Sequence, residues 1–201
     1  MASTRGIARP YWVALRFMIA ATVVLGVAYP LAVLGVGQLV APAQANGSMV
    51  TVDGQVAGSA LLGQSFTDAD GNALPEWFQS RPSAAGDGYD ASASSGSNYG
   101  PENEDLLAAI EQRKEAIAAD DGVDPADIPA DALTASASGL DPHISPDYAL
   151  LQVSRVATAR GLEESRVRDL VEQFVQQPDL GYLGEPTVDV LQLNIALAQL
   201  S

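Results

Sequence analysis

The longest apolar run of the chain extends from Tyr11 to Val40, and Arg16 is its only charged residue. A helix rises about 1.5 Å per residue, so roughly 20 apolar residues cross a hydrocarbon core of about 30 Å. The stretch from Phe17 to about Val36 meets that length. The pattern therefore predicts one transmembrane helix over residues 11–40, between a short N-terminus (residues 1–10) and a domain formed by residues 41–201.

The residues at the two ends of the run predict how it sits in a bilayer. Arg16 lies near the start, where its side chain can reach the interface beside Tyr11 and Trp12. Pro30 lacks a backbone N–H, so we expect a kink in the second half of the helix. A membrane helix tolerates such a defect where a neighbouring helix covers the freed carbonyl.

Charge predicts the orientation of this helix. Arg5, Arg9 and Arg16 precede or open the apolar run, and the next charged residue is Asp53. By the positive-inside rule the N-terminus is cytoplasmic and the following domain is extracytoplasmic, in the cell membrane. A cleaved export signal is the alternative, with small-residue sites at residues 41–43 and 43–45, but apolar regions of such signals usually span about 7–15 residues.

Alternating and turn-forming residues follow the apolar run. Val50, Val52 and Val56 alternate with polar neighbours around Asp53-Gly54, which predicts two short strands joined by a tight turn. Bends are expected at Gly58-Ser59 and Gly63-Gln64, and a loop is expected from Thr67 to Glu76. Residues 84–100 are nearly all Gly, Ser, Ala, Asp and Asn, and we expect an ordered loop bonded through its own Ser and Asn side chains.

Helical spacing dominates the rest of the chain. It predicts a helix from Pro101 to about Ala119 and, after an acidic solvated loop over residues 120–131, a helix from Pro146 to Arg160. Ser145 is the expected N-cap of the latter and Gly161 its stop. Residues 163–177 repeat the helical pattern. The last segment predicts a loop followed by a helix capped by Asp189, and a strand is the alternative for this segment. The predicted class is α+β: one N-terminal transmembrane helix followed by a single mixed helix and strand domain.

Composition narrows the classes of partner. The net charge is −15, and all three N-terminal arginines lie at the membrane end, so the domain itself is more acidic still. Nucleic acid and anionic lipid are poor partners for that surface. The chain has no cysteine, which excludes disulfides, a thiol nucleophile and a lipoprotein anchor. The acidity is interpreted either as a solubility or salt adaptation or as a means of attracting cations.

A few residues of the types used in catalysis lie close together in the sequence, but their spacing does not predict an active site. Asp141, His143 and Ser145, with Ser136 and Ser138 nearby, supply the residue types of a hydrolase triad. Triad side chains converge from separate elements, however, and alternate residues of one extended segment do not. There is no G-x-S-x-G elbow, phosphate-binding Gly-rich loop or calcium loop, and a lone His is a poor metal site.

Short motifs in a fixed order carry a more specific signal, and through them the chain resembles the KdpC family, the C subunits of Kdp potassium-transporting P-type ATPases. The matching stretches lie along nearly the whole chain: Gly58-Ser59, 62–66, 77–78, 81–84, 97–98, 100–101, 134–145, 152–153, 155–157, 159–162, 183–186, 190–191 and 193–194. Departures from the family pattern, at Ser95, Ala137, Thr187, Asp189 and the loop at 67–76, concern local loop geometry.

The resemblance implies a non-catalytic accessory subunit of a high-affinity potassium import pump. Its partners would be the channel-like potassium-binding subunit KdpA, the P-type ATPase subunit KdpB and the small single-span subunit KdpF. The family is described as a catalytic chaperone that raises the ATP affinity of the hydrolysing subunit, with Gly63 and Gln64 as a nucleotide contact. ATP and potassium would be handled by the complex, with no metal or catalytic residue on this chain.

The family motif also implies a set of site residues. They are Arg81, Pro82, Ser83, Ser97, Asn98, Ser136, Ser138, Gly139, Asp141, Pro142, His143, Ser145, Arg155, Arg160, Gly184, Glu185, Pro186 and Asn194.

Two further expectations concern contacts in such a complex. Small residues in the span (Ala20, Ala21, Gly26 and Gly35) would permit close packing on the channel-like subunit. Carboxylates such as Asp120, Asp121, Asp124 and Asp127 would enrich cations where they lie near the potassium entrance. The alternatives are a membrane-anchored serine hydrolase using Ser136 or Ser145 with His143, and a free-standing extracytoplasmic binding protein.

Overall fold

A computed structural model describes the backbone of residues 5–200 and the side chains from Ala8 onward. The residues fall into two compact units, which divide in sequence between Met49 and Val50. The predicted N-terminus of residues 1–10 lies partly outside the described residues.

The first unit is built on one long helix. It begins as α1 (Arg5–Val23), passes through a π-helical turn (Val24–Ala28) and continues as α2 (Tyr29–Val40), followed by the short α3 (Pro42–Ala45). The most apolar 18-residue window of Ala8–Val40 has a mean hydropathy of 2.3 and none of that window is buried, so by length and composition the helix can cross a membrane.

The irregular part of this helix lies before Pro30. In the π-helical turn the N–H of Tyr29 donates to the carbonyl of Val24, five residues earlier. A kink was expected in the second half of the helix, and the irregular turn lies around its middle. A proline lacks the N–H that would donate to a carbonyl of the preceding turn, so the irregularity precedes Pro30. At the other end, the Arg16 guanidinium lies 5.3 Å from the centre of the Trp12 ring, towards the N-terminus as predicted.

The second unit has a small amount of sheet at both ends of its sequence. β1 (Met49–Val52) and β2 (Gln55–Ser59) form a two-stranded sheet, and positive φ angles at Asp53 and Gly54 confirm the predicted tight turn. A second sheet has the order β3 (His143–Ile144), β5 (Thr187–Asp189), β4 (Val175–Gln176), and both of its pairings are antiparallel.

Helices supply most of the regular secondary structure of the second unit. They are α4 (Glu104–Asp121), a 3₁₀ turn (Pro125–Asp127), α5 (Ala130–Leu133), α6 (Pro146–Leu151), α7 (Val153–Arg160), α8 (Glu164–Phe174) and α9 (Val190–Ala198). The mixed α+β class is confirmed.

Several predicted boundaries are wrong. α4 begins at Glu104, because the Asn103 side chain accepts from the N–H groups of Asp105 and Leu106 and caps it, so Pro101 lies before the helix. The predicted helix from Pro146 to Arg160 is two helices that divide at Gln152. The predicted helix over residues 163–177 ends at Phe174, because the next two residues pair with β5.

Other boundaries agree with the predictions. Ser145 Oγ accepts from the N–H of Tyr148 at 3.1 Å, and Gly161 ends α7 with φ of 66°. Asp189 ends β5 and also caps α9, so the strand and the helix considered for this segment are both present.

The core is formed where α6, α7, α8 and α9 meet the three-stranded sheet. Phe78, Ile144, Val153, Leu193 and Leu197 are among its fully buried side chains. α4 lies at its edge, since Ile110 and Ile117 contact the core while no residue of α4 is fully buried.

Candidate functional site

Most of the predicted site residues converge where three irregular segments meet, residues 62–66, 80–100 and 134–145. At their centre Arg81 Nη1 lies 3.0 Å from Asp141 Oδ2, and His143 Nδ1 lies 3.8 Å from Asp141 Oδ1. Tyr89 closes the group by donating from its hydroxyl to the carbonyl of Arg81 at 2.6 Å. We call Gly63, Arg81, Tyr89, Asp141 and His143 the loop junction.

Backbone contacts make the loop junction tight. The N–H of Gly63 donates to the carbonyl of Leu140 at 2.9 Å, and a Cβ at Gly63 would collide with the Asp141 carbonyl and the Tyr89 ring. Gly139 has φ of 67° and a Cβ there would come within 2.6 Å of the Ser95 carbonyl. These two glycines are required because backbone segments pass where any side chain would stand.

The charges of the loop junction balance one another. Burial alone would raise the pKa of Asp141, but its hydrogen bonds with His143 and the charge of Arg81 hold that pKa below its ordinary value. The Asp141 carboxylate raises the pKa of His143 in turn, against the effect of burial and with help from Asp189. Burial raises the pKa of Tyr89 to about 12, so its hydroxyl stays protonated.

The serines of this region bond to protein groups other than His143. Ser145 Oγ donates to Asp131 Oδ1 at 2.9 Å, Ser136 Oγ and Ser138 Oγ lie 3.2 Å apart, and Ser83 Oγ donates to the Gly139 carbonyl. None of these four serine hydroxyls is hydrogen-bonded to His143. A nucleophile with an adjacent base, which a serine hydrolase needs, is therefore not assembled in this part of the chain.

The residues implied as a nucleotide contact are engaged inside the unit. Gly63 is buried in the loop junction, and the Gln64 side chain donates to the Ala57 carbonyl at 2.8 Å. A cleft of about 670 Å³ is lined by Arg113, Arg155 and Asp120 among others. Arg113 donates to the Leu133 carbonyl and Arg155 to Asp121, so both arginines already have protein partners. Within the described chain no three His, Asp or Glu side chains are grouped to hold a metal.

A second convergence holds the segment Pro75–Gln79, which we call the pinned segment. Arg155 donates to the carbonyls of Pro75 and Trp77 and to Asp121 Oδ1, the last at 2.7 Å. Arg160 donates to the Glu76 carbonyl and lies 4.2 Å from the centre of the Trp77 ring. These bonds give both motif arginines a positioning role.

Amide side chains complete the pinned segment. Asn194 accepts from the N–H of Phe78 and donates to its carbonyl, both at 3.0 Å, and Gln152 makes the equivalent pair with the backbone of Gln79. The roles of Gln79 and Gln152 were missed from sequence, because an amide that bonds to backbone far away in the chain leaves no local pattern.

Asp121 corrects one prediction. It was placed in a solvated acidic loop, yet its side chain is only 4% exposed and is paired with Arg155. Burial raises the pKa of Asp121, and Arg155 opposes that rise. Asp120, Asp124 and Asp127 are exposed as predicted, with Asp124 capping the 3₁₀ turn.

The remaining motif residues lie away from the loop junction or only support it. The Pro82 carbonyl accepts from the N–H of Ser136, and the Pro142 carbonyl accepts from that of Val190. Ser97 and Asn98 are exposed, and Asn98 adopts φ of 53°. Gly184 and Glu185 are exposed and Pro186 is half-buried, at the end of the loop that leads into β5.

Comparison with known proteins extends over both units. The KdpC family model, described as K⁺-transporting ATPase, c chain, matches residues 11–199. The chain belongs to the KdpC family. A KdpC subunit of a potassium-transporting ATPase from Kineococcus radiotolerans is 57% identical over 183 residues, which are 91% of this chain and 90% of that protein.

Two other KdpC subunits are similarly close. The protein from Caulobacter vibrioides is 57% identical over 178 residues, covering 88% of this chain and 86% of the relative. The protein from Mycobacterium tuberculosis is 51% identical over 189 residues, covering 93% and 96%. The KdpC family match therefore includes the apolar helix as well as the unit that holds the loop junction.

Proposed function

We propose that this chain is a non-catalytic accessory subunit of an ATP-driven potassium pump, required for assembly and stability of the complex. The observation that carries the proposal is the match to the KdpC family over residues 11–199. The geometry supports an accessory role, because the charged groups of the loop junction neutralise one another and the serines are bonded elsewhere.

The proposed partners are a channel-like potassium-binding subunit, a P-type ATP-hydrolysing subunit and a small single-span subunit. Any effect on ATP affinity would reach the hydrolysing subunit through the complex, because the domain of residues 41–201 is proposed to face the exterior. Arg5, Arg9 and Arg16, which precede or open the span, and the absence of acidic residues there support this orientation.

Co-purification tests the assignment. The four subunits are co-expressed, the complex is isolated through a tag on the ATP-hydrolysing subunit, and the recovery of this chain and the potassium-stimulated ATPase activity are measured. We expect stoichiometric recovery, loss of activity when this chain is omitted, and a raised KM for ATP in partly depleted complexes. A stable wild-type chain that never co-purifies would refute the assignment.

Orientation has its own test, which uses the lack of native cysteine. A membrane-impermeant maleimide added to intact cells should label Asp127→Cys, at an exposed position, and should label Ser3→Cys only after permeabilisation. The reverse result would refute the proposed orientation. Loss of the Ser3→Cys residue from the mature chain would instead support a cleaved signal.

A further inference from the structure

Exposed apolar side chains of the second unit gather at one loop. Within the described residues 50–200, seven large hydrophobic side chains are exposed: Val56, Leu61, Tyr99, Leu107, Leu180, Tyr182 and Leu183. Three of these seven lie in four consecutive residues, with exposures of 81% for Leu180, 74% for Tyr182 and 52% for Leu183. Single exposed hydrophobic residues are ordinary, whereas a cluster marks an interaction surface. We call Pro178–Gly184 the apolar tip.

The backbone of the apolar tip is closed on itself. Asp179 and Leu183 exchange two hydrogen bonds, of 3.0 and 2.9 Å, and the N–H groups of Gly181 and Tyr182 donate to the carbonyls of Pro178 and Asp179. A loop that is already ordered loses little conformational freedom on binding. The apolar tip therefore presents its side chains in a fixed arrangement.

Leu180 stands in a conformation that its residue type disfavours. Its φ is 54°, in the left-handed region that a bulky residue other than Gly, Asn or Asp rarely adopts. Tyr89 has a similar φ of 57°, but its hydroxyl and its N–H are both hydrogen-bonded in the loop junction. Leu180 has strain and exposure together, a combination that folding alone does not favour and that clusters at functional sites.

The charge around the apolar tip selects the kind of partner. Asp179 lies within the tip and Glu185 follows it directly, and residues 169–201 contain five carboxylates (Asp169, Glu172, Asp179, Glu185 and Asp189) and no Lys or Arg. An anionic lipid surface would repel this region, and a second copy of the chain would bring the same charge to the contact. A protein surface with positive charge around an apolar pocket is complementary to it.

We propose that the apolar tip inserts into an apolar pocket rimmed by Lys or Arg on the extracytoplasmic surface of another pump subunit. The proposal rests on the proposed function and adds the contact surface to it. Leu180 and Tyr182 are the anchors of the contact, and Asp179 and Glu185 pair with the rim of the pocket.

A double variant tests the anchors in the full complex. Leu180→Asn combined with Tyr182→Ser removes both apolar groups, and Asn tolerates the left-handed conformation. With the tag on the ATP-hydrolysing subunit, we expect recovery of this chain to fall about tenfold, as for loss of a hot spot. The matched control is Leu107→Gln, which removes an exposed leucine from α4 and should leave recovery unchanged.

The thermal midpoint distinguishes a variant that has lost the contact with its partner from one that no longer folds. Leu180→Asn alone should raise the thermal midpoint of the full-length chain, because it relieves backbone strain, while it lowers recovery of the complex. Wild-type chain that fails to co-purify refutes the proposed function. If the double variant is recovered with the complex as well as the wild-type chain is, the docking surface is refuted and the proposed function stands.

Photo-crosslinking identifies the occupant. p-Benzoylphenylalanine replaces Tyr182 in the assembled complex, and irradiation should give an adduct with another pump subunit. An adduct with a second copy of this chain, or with lipid alone, would overturn the proposal. Asp179→Asn with Glu185→Gln should reduce recovery more at low salt than at high salt, and equal reductions would exclude a basic rim.

Discussion

The pinned segment and the apolar tip are both irregular chain, but they are held in opposite ways. The pinned segment accepts hydrogen bonds from Arg155 and Arg160 and exchanges hydrogen bonds with Gln152 and Asn194, and all four side chains lie at least 73 positions away in sequence. The hydrogen bonds of the apolar tip join its own backbone groups. The pinned segment thus connects distant parts of the fold, whereas the apolar tip projects from the fold.

This difference indicates that the family motifs serve two purposes, stability of the fold and assembly with other proteins. Trp77 and Phe78 are needed because the helices of the second unit meet at their backbone, so a change there should cost stability. Leu183 and Gly184 belong to a loop whose exposed side chains contribute little to the fold, so a change there should cost assembly. Stability and assembly are therefore expected to respond to different substitutions.

The largest expected effect comes from Arg155 in the pinned segment. Arg155→Met leaves the Asp121 carboxylate without its donor and removes one hydrogen bond each from the carbonyls of Pro75 and Trp77, and the Arg155 and Asp121 side chains are only 8% and 4% exposed. Breaking a buried pair from one side costs about 3–5 kcal/mol. The loss is measured by denaturant unfolding of the full-length chain in detergent, followed by Trp77 fluorescence in a Trp12→Phe background.

Two controls make this test specific. Arg168→Ala breaks an exposed pair with Glu164 one turn away on α8 and should cost no more than about 0.5 kcal/mol. Adding Asp121→Leu to Arg155→Met removes the stranded carboxylate and should recover part of the loss. If Arg155→Met were as mild as Arg168→Ala, the contrast between a pinned and a projecting segment would fail.

The next effect in size is expected at Asn194. Asn194→Ala removes both hydrogen bonds to the backbone of Phe78, which is buried, and leaving buried backbone groups unpaired costs about 1–3 kcal/mol. Asn194→Asp keeps an acceptor for the Phe78 N–H but faces the Phe78 carbonyl with a second oxygen. Both variants should unfold at lower denaturant concentration than the wild-type chain, and neither should affect recovery of the complex at temperatures where the chain is folded.

Local signals predicted the parts of the fold that depend on local chemistry. The Asp53-Gly54 turn, the Ser145 cap, the Gly161 stop and the long apolar helix each follow from a few neighbouring residues. The break at Gln152 does not, because its side chain bonds to the backbone of Gln79, 73 positions away. The end of α8 at Phe174 depends on pairing with β5, which helical spacing cannot reveal.

The same distinction applies to the candidate site. The motif residues Arg81, Asp141 and His143 were named in advance, but their mutual geometry depends on how two distant loops meet. Asp121 looked like one solvated carboxylate among several, because its partner Arg155 lies 34 positions further along the chain. The apolar tip carried the motif residue Gly184, yet neither the φ of Leu180 nor the exposure of its neighbours could be read from residue order.

The smallest expected effect concerns the loop junction. Its Arg81–Asp141 pair is held by contacts from distant parts of the chain, as the pinned segment is, but the pair is partly exposed to solvent. The Asp141 carboxylate raises the pKa of His143, so the protonated imidazole is stabilised in the folded chain. That stabilisation is fully present below the unfolded pKa of about 6.5 and is lost as pH rises through the raised folded value. His143→Gln should therefore lower the thermal midpoint at pH 6 by no more than about 3 °C and change it less at pH 9.

The matched variant Arg81→Gln should destabilise the chain at both pH values, because the Asp141 carboxylate is ionised throughout this range and loses a permanent charge partner. A pH-independent loss in His143→Gln would mean that His143 serves by packing alone, which would place the loop junction with the pinned segment.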